Sequence, residues 1–125
     1  MIQSPLLAQL AWLQHGFGTR VDVWSSTNSA QVKQIHSGIV WAVDQLGLAG
    51  EGDALISSTP GLDLAIRTAD CYPILLADSR THVVAAIHAG WRGTAAKIAV
   101  AAMGKMQSLY GSEPADLYAA IGPGI

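Results

Sequence analysis

Apolar positions along the chain fall into short blocks separated by glycine, proline and polar residues, and they take up helical spacing in one long stretch near the end. Gly38 to Val43 (Gly-Ile-Val-Trp-Ala-Val) is dense in apolar and β-branched residues and predicts a strand. Leu62 to Thr68 alternates as a strand does. Tyr72 to Ala77 and Val83 to Ile87 are short apolar runs that flank Asp78-Ser79-Arg80-Thr81. That tetrapeptide has turn chemistry, so the two runs predict an antiparallel hairpin. Thr94 to Tyr110 is alanine-rich, carries Lys97 and Lys105, and spaces its apolar residues for a helix. Gly111 follows where a helix-terminating glycine belongs. Leu117 to Ile121 predicts a last short strand. The polar stretch Val21 to Ala30 reads as a loop, and Gly47 to Asp53, with three glycines and two acids, reads as a turn cluster. Strands with one late helix predict an α+β (α/β mixed) domain, a layered sandwich of mixed β-sheet with covering helices.

Composition narrows the partners. A chain of 125 residues is long enough for one core of its own. Only 13% of it is charged, about half the share usual in soluble domains, so part of its surface expects a cover. A net charge of −2, with seven scattered Lys and Arg, argues against a nucleic-acid surface. No apolar run approaches the roughly 18 residues of a membrane span, and the stretch Pro5 to Leu13 lacks the basic start of a signal peptide. The single cysteine excludes an internal disulfide and fits a reducing cytoplasm.

Chemistry concentrates at strand ends. There are four histidines, at positions 15, 36, 82 and 88. His88 closes the run Val83 to Ile87 and opens His-Ala-Gly-Trp-Arg-Gly-Thr; Cys71 lies in Thr-Ala-Asp-Cys-Tyr-Pro, just before the partner run. Hairpin pairing would bring Cys71 and His88 together. His36, before another strand, would supply a third ligand. Two imidazoles and a thiolate with one position open is the donor set of a catalytic zinc site, with ligating atoms roughly 3 to 4 Å apart. The plainer readings stand beside it. A lone cysteine is usually a small core residue, and no compact Cys-x-x-Cys or His-x-x-x-His pair is present. His82, at the edge of the turn, is expected in solvent. Gly90, Arg92 and Gly93 precede the helix, where free backbone N–H groups attract anions and Arg92 adds a fork suited to phosphate. A plain strand-to-helix turn with Arg92 in solvent explains the same residues. The phosphate-loop pattern is absent.

Five strings occur in one order: Gln34-Ile35-His36, Gly52-Asp53-Ala54-Leu55, Thr68-Ala69-Asp70-Cys71-Tyr72-Pro73, His88-Ala89-Gly90-Trp91-Arg92-Gly93 and Ile121-Gly122-Pro123-Gly124-Ile125. Together they resemble the laccase-domain family, also called multicopper polyphenol oxidases, whose members are described as purine nucleoside phosphorylases with accompanying adenosine deaminase activity. The resemblance runs from about His15 to the last residue. It implies that His36, Cys71 and His88 fall on the family's metal ligands. It further implies that Arg20, in Gly18-Thr19-Arg20, lines the pocket. The substrates expected on this basis are a purine nucleoside and phosphate, and the cofactor Zn2+, with copper as the alternative metal. Arg20 and Arg92 would hold phosphate. Asp70 would act as a general acid or base, or orient a ligating histidine.

Two departures qualify the resemblance. The long segment that most members carry between Arg20 and Gln34 is nearly missing, and the family continues well beyond Gly-Pro-Gly-Ile. Residues 1–125 are therefore expected to form one laccase-like domain truncated at its C-terminal end. A second copy, or the C-terminal half, would cover the last strand. Two other functions compete. A copper-binding polyphenol oxidase would use the same His-Cys-His donors, although a full multicopper centre needs many more than four imidazoles. A non-catalytic binding module would leave His36 and Cys71 as core residues.

Overall fold

The computed structural model describes residues 1–18, 28–68, 71–90 and 93–122. Within them run β1 (Ser29–Lys33), β2 (Val40–Ala42), β3 (Gly47–Glu51), β4 (Ala54–Ser57), β5 (Asp63–Leu64), β6 (Tyr72–Asp78), β7 (Val84–Ala89), α1 (Gly93–Tyr110) and β8 (Leu117–Ile121). A five-stranded sheet has the order β2-β4-β7-β6-β8, with β2 and β4 parallel and the other pairs antiparallel. A three-stranded parallel sheet has the order β3-β1-β5. Mixed sheets with one long helix are the α+β architecture expected. Among the described residues no helix is long and apolar enough to cross a membrane.

The core lies between the larger sheet and α1. Val40, Ala54, Ile56, Ile74, Leu76, Ala85, Ile87 and Ala89 meet Ile98, Ala102 and Met106 of the helix. These helix residues recur every fourth position, which keeps them on one face. Burying Ile98 and Met106 contributes roughly 1.5–3 kcal/mol each. Gly111, at φ 72°, ends the helix, and its N–H returns to the Gln107 carbonyl 3.0 Å away.

The β6–β7 hairpin follows the predicted pairing, with Tyr72 opposite Ala89, Pro73 opposite His88 and Ala77 opposite Val84. Asp78 builds its turn. This buried carboxylate accepts the Arg80 N–H at 2.8 Å, the Thr81 N–H at 3.1 Å and the Thr81 hydroxyl at 2.6 Å. His82, at φ 61°, completes the reversal.

Several expectations change. Gly47 to Asp53 is not a turn cluster: Gly47–Glu51 forms β3, in parallel register with β1. Gly50 and Gly52 serve close packing. A Cβ on Gly50 would lie 2.5 Å from the Trp41 ring, and one on Gly52 would lie 2.9 Å from that ring and 3.0 Å from the Ile39 carbonyl oxygen. The Trp41 indole N–H bonds the Glu51 carbonyl at 2.9 Å. The strand expected over Leu62 to Thr68 shrinks to Asp63–Leu64, and the loop expected to Ala30 gives way to β1 at Ser29. The sheet face away from α1 is better covered than the helix alone would allow. Leu55 and Ala86 on that face are buried, and β1 packs against β4. β8 does form a sheet edge, with Ile121 68% exposed.

Candidate metal centre

Local geometry at the open end of the hairpin dictates what meets there. Cys71 immediately precedes β6, and His88 is the penultimate residue of β7, opposite Pro73. The pairing leaves the thiol beside the imidazole. His36 comes from the connection between β1 and β2, at φ 61°. Histidine enters this left-handed region more readily than most side chains, yet holding it there still costs on the order of 1 kcal/mol.

Ligating atoms of His36, Cys71 and His88 all lie within 4.8 Å of one another. The two imidazole rings meet edge to face, with centroids 5.1 Å apart. His88 is buried, Cys71 half-buried and His36 exposed. Tetrahedral zinc needs its ligand atoms roughly 3.5 Å apart, so an ion would draw the cluster inward by about 1 Å, a movement within reach of the exposed His36 side chain. Two imidazoles and one thiol, one of those imidazoles already carrying a carboxylate on its far nitrogen, make a donor set that fits zinc.

That carboxylate belongs to Asp53, which is fully buried between β3 and β4. Its Oδ2 lies 2.6 Å from His88 Nδ1 and accepts the His36 N–H at 3.1 Å. Its Oδ1 accepts the Ile35 N–H at 3.1 Å, the Ser37 N–H at 2.7 Å and the Ser37 hydroxyl at 2.7 Å. Burial raises the carboxyl pKa. Hydrogen bonds from the Ser37 N–H, His88, the Ser37 hydroxyl and the Ile35 N–H outweigh burial and hold it down at about 2. Asp53 is therefore an anion. An ionised carboxylate has no proton to give, so the proton in the 2.6 Å contact sits on His88 Nδ1; in the neutral imidazole Nε2 then carries the lone pair a metal requires.

The sequence contained Asp53 within Gly-Asp-Ala-Leu without suggesting this role. The available signal was an acid between a glycine and an unbroken apolar run, where a carboxylate must find donors. Arg20, Asp70 and Arg92, assigned to phosphate and proton transfer, lie outside the described residues. The other two histidines are elsewhere. His15 accepts the Ser4 N–H on its Nε2 at 2.8 Å, tying down the N-terminal segment. His82 is exposed, as expected, and stacks on Trp12 with ring centroids 4.2 Å apart.

Comparison with known proteins bears on what such a centre does. Residues 17–125 match the family described as multi-copper polyphenol oxidoreductase laccase. A protein of Deinococcus radiodurans named purine nucleoside phosphorylase is 44% identical over 102 residues, which cover 82% of this chain and 40% of that protein. Another of the same name, from Bacteroides thetaiotaomicron, is 48% identical over 73 residues, covering 58% of this chain and 27% of its own length. The crystal structure of YlmD from Geobacillus stearothermophilus superposes with a TM-score of 0.72 at 33% identity, over 80% of this chain and 41% of that one. The chain thus spans less than half the length of each of these relatives.

Proposed function

The chain belongs to the family described as multi-copper polyphenol oxidoreductase laccase, and from that membership we propose that it works as a zinc-dependent purine nucleoside phosphorylase with an adenosine deaminase side activity. The convergence of His36, Cys71 and His88 carries the reading, because it gathers a metal-type donor set within the segment that matches the family. Relatives named for phosphorolysis of purine nucleosides supply the substrate class.

His36, Cys71 and His88 would hold the metal. When bound, zinc supplies Lewis acidity, which polarises an oxygen or lowers the pKa of a water from about 16 to about 7. The remaining work falls to the chain. Phosphorolysis needs phosphate beside the anomeric carbon and a proton for the departing purine. Arg20, Arg92 and the backbone N–H groups that open α1 are suited to phosphate. Asp70, next to a ligand in sequence, is suited to a proton transfer or to orienting an imidazole. Residues 1–125 would act as one laccase-like domain, with a second copy or further chain covering β8.

The experiment is metal analysis of the purified chain, followed by product analysis with adenosine, with and without phosphate. One zinc per chain, adenine and ribose 1-phosphate only when phosphate is present, and some inosine are expected. A zinc-loaded chain that leaves adenosine untouched overturns the phosphorylase reading. A chain that retains copper with an intense blue absorption supports the polyphenol-oxidase alternative, whose donor types are the same. A chain that retains neither metal is a binding module.

A further inference from the structure

Asp53 gathers five donors on two oxygens, and they sort by destination. Oδ1 takes the Ile35 and Ser37 N–H groups and the Ser37 hydroxyl, so it ties the loop. Oδ2 takes the His36 N–H and the His88 Nδ1–H. One oxygen atom therefore touches both candidate histidine ligands, one through its backbone and the other through its ring. From this we infer that Asp53 is a positioning residue that sets both histidines before any metal arrives. It fixes the His88 tautomer and holds the His36 backbone in its left-handed conformation. The inference rests on the metal reading above, and it adds how the site is assembled.

The physical case has two halves. The tautomer of a neutral imidazole follows the group bonded to one of its nitrogens. Three backbone N–H groups and a hydroxyl already donate to the two Asp53 oxygens, so the carboxylate meets the ring as an acceptor; Nδ1 then carries the proton and Nε2 is left for the metal. A carboxylate there also raises the basicity of the ligand it supports. The loop half is independent of that. Three consecutive N–H groups, from residues 35, 36 and 37, point at one carboxylate. Successive backbone N–H groups form a concavity that favours an anion, with one residue at positive φ. Here the anion is internal and the residue at positive φ is His36 itself. The Asp53 backbone closes the arrangement. Its N–H bonds the Ile39 carbonyl at 3.0 Å, and its carbonyl accepts the His88 N–H at 2.7 Å. The carboxylate is therefore locked between the loop and β7, and neither the His36 backbone nor the His88 ring can shift without disturbing it.

Asp53→Asn is the informative variant. An asparagine oxygen still accepts loop N–H groups, but its amide donates to His88 Nδ1 and inverts the tautomer. The test follows the ring nitrogens of His88 by 15N NMR in the metal-free chain, alongside zinc affinity by chelator competition and a thermal melt. The wild-type chain is expected to show Nδ1–H at His88. Asp53→Asn is expected to show Nε2–H and to bind zinc about 10- to 100-fold more weakly. Ser37→Ala, which removes one loop donor and leaves the ring contact intact, is expected to keep Nδ1–H. A wild-type His88 that carries its proton on Nε2 overturns the inference without any variant, whether or not Asp53→Asn folds. Zinc affinity unchanged in a folded Asp53→Asn overturns it as well. Failure of the metal reading looks different: the wild-type chain would show Nδ1–H at His88 and retain no zinc.

Discussion

The two ends of the β6–β7 hairpin use the same device for different ends. At the turn, buried Asp78 gathers two backbone N–H groups and a hydroxyl beside a histidine at φ 61°. At the open end, buried Asp53 gathers three backbone N–H groups and a hydroxyl around another histidine at φ 61°. The difference is sequence distance. The donors that form the turn at Asp78 come from residues two and three positions later, so there the carboxylate shapes its own stretch of chain. The donors to Asp53 come from 16 to 18 positions earlier, and His88 from 35 later. A carboxylate that serves its own neighbours shapes the chain locally. One that serves distant segments brings their side chains to a common point, and at this end those side chains are metal ligands by type.

Removing each carboxylate breaks the comparison most directly. Asp53→Ala is expected to lower stability by about 3 kcal/mol, since it leaves three partly buried N–H groups and one buried imidazole without their acceptor. It is also expected to abolish zinc retention. Asp78→Ala is expected to cost about 2 kcal/mol and to leave zinc affinity as it was. Urea denaturation with zinc titration reads both. Equal zinc affinity in the two variants would mean that the open end is only another turn.

Next in size is the pair Cys71→Ser and His82→Ala. The thiolate is the soft, charged ligand of the set, and its loss is expected to weaken zinc binding on the order of 100-fold. Among the described residues His82 stacks on Trp12, and losing that contact is expected to cost about 0.5–1 kcal/mol of stability. Equilibrium dialysis against zinc distinguishes them, and similar losses in both would place the metal elsewhere.

A subtler probe is Gly52→Ala, one residue before Asp53. The new methyl would press on the Trp41 ring and on the Ile39 carbonyl. Because the second contact is backbone, the expected cost is about 1–2 kcal/mol, with a shift in tryptophan emission. An unchanged melt and spectrum would show that the loop yields freely.

Acid titration has the smallest expected effect. Burial raises the Asp78 carboxyl pKa, but the Thr81 hydroxyl, the Ser112 side chain and the Arg80 and Thr81 N–H groups hold it at about 2, below its ordinary 3.8. A depressed pKa stabilises the fold at pH values above the unfolded value, and that stability is lost as pH falls through the folded one. Between pH 4 and pH 2 the wild-type chain is therefore expected to lose about 1–2 kcal/mol at this residue. Asp78→Asn should flatten that part of the stability profile. A profile as steep as the wild type's would remove Asp78 as its source.

What could be read in the sequence follows the same local and distant division. The hairpin, α1 and β8 were legible because their patterns lie within single segments, and hairpin pairing alone put Cys71 beside His88. The stretch Gly47 to Asp53 differs from its turn reading because Gly50 and Gly52 answer to Trp41, which arrives from another strand. β4, Ala54–Ser57, is buried at every position and so offers no alternation to read. Asp53 was named in a motif without a role, because its five donors are visible only once three segments meet. The phosphate and proton-transfer assignments to Arg20, Asp70 and Arg92 remain as the sequence suggested them.

Exposure falls across the three candidate ligands, from His36 at the surface through half-buried Cys71 to His88 at 5%. For an ion held there, that gradient gives loading and unloading a direction. The His36 imidazole would capture an arriving ion first and would be the first to let go, since its side chain alone is free to swing into solvent. His88, clamped against Asp53, would release last. The dwell time of the ion would then be set at the inner ligand, and the speed of exchange with a competing chelator at the outer one.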